Sequence, residues 1–168
     1  MNTPSLEDQL VSELWARDVR FLMGRQFSST PVLALANLIA GLAQSTNARV
    51  RLSLIPLFLR HPEFSTEVEK ADRSLPPQSG QNVLRFYYTA AVFLQMKYQE
   101  RLHNIFGEQN PLPDLYSSKL GVTAEEDPNQ NLIHLAKRHQ FSSGHFINWL
   151  GTYEHAAERL IKHMEKFK

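Results

Sequence analysis

The chain has 168 residues, the length of one domain with a single hydrophobic core. Its 18 basic and 17 acidic side chains nearly cancel, so no net charge attracts nucleic acid or an acidic membrane surface. The absence of cysteine excludes a disulfide framework, thiolate catalysis and cysteine metal sites, and it is compatible with a reducing cytoplasm.

No membrane segment is predicted. The first ten residues, MNTPSLEDQL, are polar and acidic, unlike the start of a signal peptide. The longest uncharged apolar run, between Thr30-Pro31 and residues 44–47, is too short to cross a bilayer of ~30 Å comfortably. We therefore expect a cytoplasmic protein that does not enter a membrane.

The first predicted helix begins at Ser5, which resembles a capping box with Asp8, and continues to about Met23-Gly24. Asp18 falls within the apolar face of this helix. Buried charges are mostly retained when they are paired, so we expect an ion pair with an arginine of the next segment. The alternative is a buried polar site, a carboxylate with a raised pKa that lines a pocket for a small apolar ligand.

Residues 30–62 contain two apolar runs joined by the short polar segment 44–47. Thr30-Pro31 is typical of a helix start, and no charge follows up to Ala43. A helix that is apolar on every side is normally enclosed by others. We therefore expect this helix to be the central element of the fold.

The second apolar run begins at Asn47, a good helix cap, and ends before Pro62, while Pro56 should kink it. Two antiparallel helices joined by a short polar turn form a helical hairpin. With its apolar first helix and the Arg49-Val50-Arg51 start of the second, residues 30–60 resemble one HEAT-type repeat. No second copy follows at a period of about forty residues, so the array that defines that family is missing.

Residues 74–80, SLPPQSG, are the clearest linker in the chain because two adjacent prolines and a glycine interrupt regular structure. They follow a short helix predicted to start at Pro62. Neither half of the chain is long enough to be expected to fold as an independent domain. We therefore predict one domain over residues 1–168, with a possible subdivision at 74–80.

Two long helices are predicted after the linker. The first spans residues 81–106 and ends at Gly107. A largely irregular stretch with one short helix at 114–120 follows. Asp127-Pro128 combines a helix cap with a proline at the first helical position, so the second long helix begins there and runs to about Phe141.

The last helix, predicted from His145 to about Lys166, has the most regular apolar pattern. Its apolar residues alternate at spacings of four and three, as in a coiled-coil seam: Phe146, Leu150, Tyr153, Ala157, Leu160, Met164 and Phe167. We expect this seam to pack against the protein's own core or against a second chain. A protein partner or a homodimer would then bind through the last helix, with Tyr153 among the binding residues.

The opposite face of the last helix carries a basic stripe. Its residues are His155, Arg159, Lys162, His163 and Lys166. With Glu158 and Glu165 beside them, such a stripe is typical of a solvated surface. Contact with an RNA backbone or with an acidic protein partner is the functional alternative, and nucleic acid is not favoured. The predicted binding residues on this face are Arg159, Lys162, His163 and Lys166.

Motifs for metals and nucleotides are missing from the sequence. There is no HExxH, Walker loop, Rossmann fingerprint or Gly-x-Ser-x-Gly elbow. His155 and His163 share a helix face but lie about 12 Å apart along the axis, too far to bind one metal. We therefore predict no metal and no cofactor.

One catalytic resemblance lies in the sequence RHQFSSGH, residues 138–145. It resembles the arginine, polar residue and later histidine that mark the HEPN family of helical ribonucleases. The resemblance implies a metal-independent ribonuclease in which Arg138 orients a phosphate, His145 is the general acid–base group and His139 is the polar neighbour. That family carries the motif along one helix, whereas Ser142-Ser143-Gly144 is predicted to separate Arg138 from His145. A helix end with cationic side chains near its carbonyls is the structural alternative.

These patterns predict an all-α fold, a compact bundle of about six or seven helices with a buried HEAT-like hairpin. The function we expect first is a non-enzymatic helical interaction or regulatory module that binds a protein partner or self-associates. The HEPN-like ribonuclease is the alternative.

Overall fold

The computed structural model describes residues 5–20 and 30–166, and within these ranges it contains helices and no β-strand. The α-helices are α1 Leu6–Ala16, α2 Leu35–Gln44, α3 Ala48–Leu52, α4 Leu54–Arg60, α5 Val68–Arg73, α6 Asn82–Lys97, α7 Gln99–Phe106, α8 Pro128–Ser143 and α9 Trp149–Glu165. A 3-10 helix, Pro62–Glu67, precedes α5, and a π-helical turn, Pro77–Gln81, precedes α6. The all-α prediction is confirmed. The α-helices of the described residues outnumber the six or seven predicted because two predicted helices are each broken in two. One becomes α3 and α4, and the other becomes α6 and α7.

Helix α6 lies at the centre of the bundle. Its residues from Phe86 to Gln95 are all buried, and it packs against α2, α4, α8 and α9. Helix α4 is buried from Leu54 to Leu59. A helix enclosed in this way needs small or apolar side chains on every side, which is the pattern of the sequence FYYTAAVFL in α6.

Helix α2 is shorter and less enclosed than predicted. It begins at Leu35 rather than after Thr30-Pro31, and its N-cap residue Ala34 offers no capping side chain. Asn37 and Gln44 are exposed, so one side of α2 faces water. The prediction that this helix is the central element is therefore wrong, and α6 has that place.

A buried carboxylate explains the late start of α2. Glu13 of α1 is 7% exposed and accepts hydrogen bonds from the backbone N–H groups of Val32 and Leu33, both at 2.9 Å. It also pairs with Arg17, which donates to the carbonyl of Leu33 at 2.8 Å. These bonds hold the backbone before Leu35 against α1, so this part of the chain does not enter the helix.

The same bonds determine the ionisation of Glu13. Burial alone would raise the pKa of its carboxyl, but the hydrogen bonds from Arg17, Leu33 and Val32 outweigh burial and lower the pKa. The carboxylate is therefore charged at neutral pH. We call Glu13, Arg17 and the backbone of Val32 and Leu33 the Glu13 clamp.

Pro56 breaks the second apolar run as predicted. Helix α3 ends at Leu52 and α4 begins at Leu54, with a turn at Ser53 between them. A proline has no N–H for the carbonyl four residues earlier, so the break lies where the missing bond would have been. The predicted cap is also confirmed, because the Asn47 side chain accepts from the N–H groups of the first turn of α3.

The predicted linker at residues 74–80 is packed against its neighbours. Leu75 and Gly80 are buried, and the Gln81 side chain donates to the carbonyl of Asp72 at 2.8 Å. A Cβ at Gly80 would lie 2.9 Å from the Leu75 side chain, so glycine is needed for this close approach. Buried side chains from both sides of the segment belong to one hydrophobic cluster.

Two of the helices predicted after residue 80 differ from the structure. The helix predicted over residues 81–106 is broken at Tyr98, whose φ of −104° and ψ of 20° are not helical, although it ends at Gly107 as predicted. The short helix predicted at 114–120 is a series of turns. There the Asp114 carboxylate accepts from the N–H of Ser117 at 3.0 Å, as a helix cap would, but no α-helix follows it. The cap at Asp127 is confirmed.

We expect Glu13→Ala to lower the free energy of unfolding by about 3 kcal/mol, because it leaves a buried guanidinium and two backbone N–H groups without their acceptor. Glu7→Ala is the matched control on the same helix. Glu7 is exposed and accepts one hydrogen bond, from Asn47, so its loss should cost about 1 kcal/mol or less. Urea unfolding followed by far-UV circular dichroism measures both. Equal losses in the two variants would contradict the Glu13 clamp.

Candidate functional site

Asp18 lies beyond the end of α1, outside its apolar face. The helix ends at Ala16, and the N–H groups of Asp18 and Val19 bind the carbonyls of Trp15 and Leu14 at 3.0 and 2.8 Å. These two bonds form a Schellman motif, in which the residue after the cap has a positive φ and is usually glycine. Asp18 has that place, with a φ of 62°.

The early end of α1 corrects the prediction that the helix continues through residues 17–20. Its predicted end at Met23-Gly24 lies outside the described residues. The Asp18 side chain is 49% exposed and pairs with Arg60 at 3.3 Å and with Arg20 at 3.5 Å. An ion pair with an arginine of residues 30–62 was predicted and is present. A half-exposed carboxylate is not a buried polar site, so the pocket alternative at Asp18 is withdrawn.

His139 lies in an aromatic cluster between α6, α8 and α9. Its ring stacks between Phe86, with centroids 4.3 Å apart, and Trp149, with centroids 3.6 Å apart. Its Nδ1 lies 2.5 Å from the hydroxyl of Tyr153. Burial lowers the pKa of His139 to about 3, so the ring is neutral at neutral pH. Its position in the cluster is that of a packed core residue.

Tyr153 belongs to the same cluster. It is completely buried, and burial raises the pKa of its hydroxyl well above the ordinary value. The seam residues Ala157 and Leu160 are buried as well, because α9 packs against α4, α6, α7 and α8. Of the two placements predicted for the seam, these residues take the one against the protein's own core, so Tyr153 is not accessible as the binding residue that was predicted.

The side chain of Arg138 contacts different residues from those that surround His139. Its Nε donates to the carbonyl of Leu120 at 3.1 Å, and its guanidinium packs beside Gly121, where φ is 76°. The guanidinium carbon also lies 5.6 Å from the ring centroid of Phe141. Arg138 therefore ties α8 to the preceding loop.

His145 lies after the end of α8. Gly144 ends that helix with a φ of 72°, and α9 begins only at Trp149, so Arg138 and His145 lie outside any common helix. His145 is exposed and lines a cavity that Arg138 does not line. The structure thus places His139 in the aromatic core, whereas Arg138 and His145 are both exposed, Arg138 on α8 with its Nε bonded to a loop carbonyl and His145 in the turn after that helix.

Three apolar side chains are exposed at the turn from α8 to α9. Phe141 is 81% exposed, Phe146 is 95% exposed and Ile147 is 42% exposed. We call these three residues the apolar patch. Monomeric domains seldom expose contiguous apolar surface of this kind unless it binds something.

The two helix ends explain why Phe146 and Ile147 of the apolar patch are exposed. Gly144 ends α8, and Asn148 starts α9 by accepting the N–H of Gly151 at 2.9 Å. Phe146 therefore lies in the connection between the helices. The prediction that Phe146 begins the helical seam is wrong, because the cap at Asn148 starts the helix after it.

Two adjoining cavities lie beside the apolar patch. One of about 400 Å³ is lined by Lys137, Gln140, Phe141, Gly144, His145 and Phe146. The other, of about 190 Å³, is lined by Ile133, Ala136, Lys137, Gln140, Ile147, Asn148, Trp149 and Leu150. They share Lys137 and Gln140, so they form one continuous surface. None of the described residues that line them is acidic.

The basic stripe lies farther along α9. Arg159, Lys162, His163 and Lys166 line a separate cavity of about 350 Å³ together with His155 and Glu158. Arg101 of α7 pairs with both neighbouring carboxylates, Glu158 at 3.0 Å and Glu165 at 2.8 Å. The stripe thus keeps its predicted place on the outside of α9.

A further cavity, of about 820 Å³, lies where α6 passes into α7 and was not foreseen from the sequence. Gln95 shapes it by binding the loop that follows: its amide donates to the carbonyl of Asn110 at 3.0 Å and accepts from the N–H of Leu112 at 2.7 Å. Its lining residues come from both sides of the break at Tyr98, and no signal in the sequence indicated that break.

Across residues 5–20 and 30–166, no group of three or more histidine and acidic side chains is placed to hold a metal ion. Nor does any helix in the same ranges have the length and apolarity needed to cross a bilayer.

His139 should make the folded state sensitive to acid. Its folded pKa of about 3 lies below the ordinary value of 6.5, so between these values the unfolded chain binds a proton that the folded chain does not. The contribution to stability is complete above pH 6.5 and is lost as the pH falls, by up to about 1.4 kcal/mol per pH unit.

Urea unfolding of the wild type and of His139→Gln, compared between about pH 7 and pH 5, measures this slope. The variant should show a shallower decline because it lacks the titrating ring. Equal slopes would contradict a neutral, buried His139.

Comparison of the chain with protein-family models, with curated proteins and with solved structures found no match.

Proposed function

We propose that the protein is a non-enzymatic helical interaction module that binds another polypeptide chain through the apolar patch. The observation behind this proposal is the exposure of Phe141 and Phe146, at 81% and 95%. Burying one such ring contributes on the order of 2 kcal/mol. Aromatic residues of this kind are also the usual hot spots of protein interfaces.

The segment that carries Phe146 and Ile147 of the apolar patch is held in place by the residues around it, which favours binding. Trp149, the first residue of α9, stacks on His139 in the core directly after the exposed segment. Gly144 and Asn148 fix the helix ends on either side of that segment. A surface held in this way loses little conformational entropy when it binds.

The proposal places the binding surface at the start of the last helix, whereas the sequence pointed to its seam. Tyr153, Ala157 and Leu160 of the seam are buried in the protein's own core and are not accessible to a second chain. The lack of cysteine agrees with a reducing compartment, so we propose that the module works in the cytoplasm.

The HEPN-like ribonuclease has less support. His145 is accessible at the surface, but Arg138 is bonded to the carbonyl of Leu120 and His139 is neutral within the core. A general acid–base site needs its groups within reach of one substrate. The surroundings of these three residues do not favour that arrangement.

Site-specific photo-crosslinking tests the interaction module. A benzoylphenylalanine at Phe146 should form adducts with another polypeptide in cells, whereas the same residue at Val32, whose side chain is exposed and whose backbone belongs to the Glu13 clamp, should not. Phe141→Ser in the Phe146 probe should reduce adduct yield about tenfold, because a hot-spot side chain contributes more than 1.4 kcal/mol.

The stability of Phe141→Ser should remain within about 0.5 kcal/mol of the parent, since the side chain is exposed. A purified binder identified through the adduct must then show the same loss of affinity in that variant. Adducts of equal yield from Val32, or a purified binder unaffected by Phe141→Ser, would contradict the proposal.

A further inference from the structure

We infer that the chain bound at the apolar patch is an acidic segment of a different protein, carrying at least two apolar side chains, rather than a second copy of this protein. This inference rests on the proposed function and specifies its partner.

The first support is the charge of the surface. From Pro128 to Tyr153 the sequence contains no aspartate or glutamate, although the chain as a whole has 17 acidic residues. The same stretch carries Lys137, Arg138 and His145. Opposite charges across an interface speed association and select the partner. An acidic segment therefore fits this surface better than a neutral or basic one.

The carboxylates of α9 nearest in sequence do not offset this charge. Glu154 pairs with Lys97 of α6, and Glu158 pairs with Arg101 of α7. Both are held by cations of helices other than α8. Lys137 therefore lies in a surface whose described lining residues include no carboxylate.

The second support is the shape of the surface. Two cavities of about 400 and 190 Å³ adjoin each other through Lys137 and Gln140. Two apolar side chains from one short segment can occupy them, with Lys137 placed between them for a carboxylate of the same segment. Peptides that bind helical surfaces commonly use closely spaced apolar anchors of this kind.

A symmetric contact between two copies is disfavoured. In a twofold dimer the same patch faces itself, so Lys137 and Arg138 would meet their own counterparts. A head-to-tail contact would instead pair the apolar patch with an exposed apolar side chain near carboxylates, either Leu6 beside Glu7 and Asp8 or Met96, which lines a cavity with Glu100 and Glu108. Either contact offers one such apolar side chain against three on the apolar patch, and contacts of this type continue into rings or filaments.

An anionic membrane is disfavoured as well. Each basic residue near such a surface contributes only about 1 kcal/mol. The surface here carries two such residues, Lys137 and Arg138. The cluster is thus much smaller than the groups of basic residues that bind lipid headgroups.

The test is to select, from a displayed library of random peptides, those that bind the purified full chain. We expect enrichment of peptides that carry two or more aspartates or glutamates and two apolar residues. Binding of the most enriched peptide, followed by fluorescence anisotropy, should weaken about tenfold in Lys137→Glu, as for loss of one charge pair at an interface. The control Lys70→Glu, an exposed lysine of α5, should change the affinity less than about twofold.

The other possible results distinguish failure of this inference from failure of the proposed function. Peptides that depend on Phe146 but lack acidic residues, or that are unaffected by Lys137→Glu, overturn this inference and leave the proposed function standing. Self-association by light scattering that disappears in Phe146→Ser or Leu6→Ser also overturns it. Binding to phosphatidylserine vesicles that depends on Phe146 overturns both proposals. Both also fail if no peptide, protein or copy of the chain binds in a way that depends on Phe141 or Phe146.

Discussion

The enclosure of α6 is the constraint on which the rest of the structure depends. Its residues from Phe86 to Gln95 are buried on every side, so other helices must cover it completely. Helices α8 and α9 provide part of that cover and pack against each other, which leaves only a short connection between them. The side chains of that connection have no room in the core. The exposure of Phe146 and Ile147, two of the three residues of the apolar patch, thus follows from how α6 is covered.

The aromatic cluster links this core to the surface. His139 stacks between Phe86 of α6 and Trp149 of α9, and it binds the Tyr153 hydroxyl. A neutral imidazole in this position satisfies a buried hydroxyl and also presents two flat faces for stacking. The histidine that resembled part of a catalytic motif is therefore a packing residue, and its low pKa follows from that role.

Local signals in the sequence were sufficient for the helix boundaries at Asn47 and Asp127 and for the interruption at Pro56, while contacts distant in sequence decided the start of α2. Asn47, Pro56 and Asp127 act through their own backbone neighbourhood and were predicted correctly. The start of α2 depends on Glu13, nineteen residues before Val32, and local patterns do not contain that information. Phe146 continued a heptad spacing, yet the cap at Asn148 excluded it from α9. The acid-free stretch from Pro128 to Tyr153 was readable in the sequence, but its position beside an exposed apolar surface was not.

Hydrogen–deuterium exchange of the free chain tests the central claim most directly, because it reports on α6 and on the turn in one experiment. The amides of residues 86–95 should be the slowest to exchange, opening only with global unfolding, and those of residues 145–148 should exchange at the earliest times. Early exchange within α6, or protection of the turn comparable to that of α6, would contradict the account.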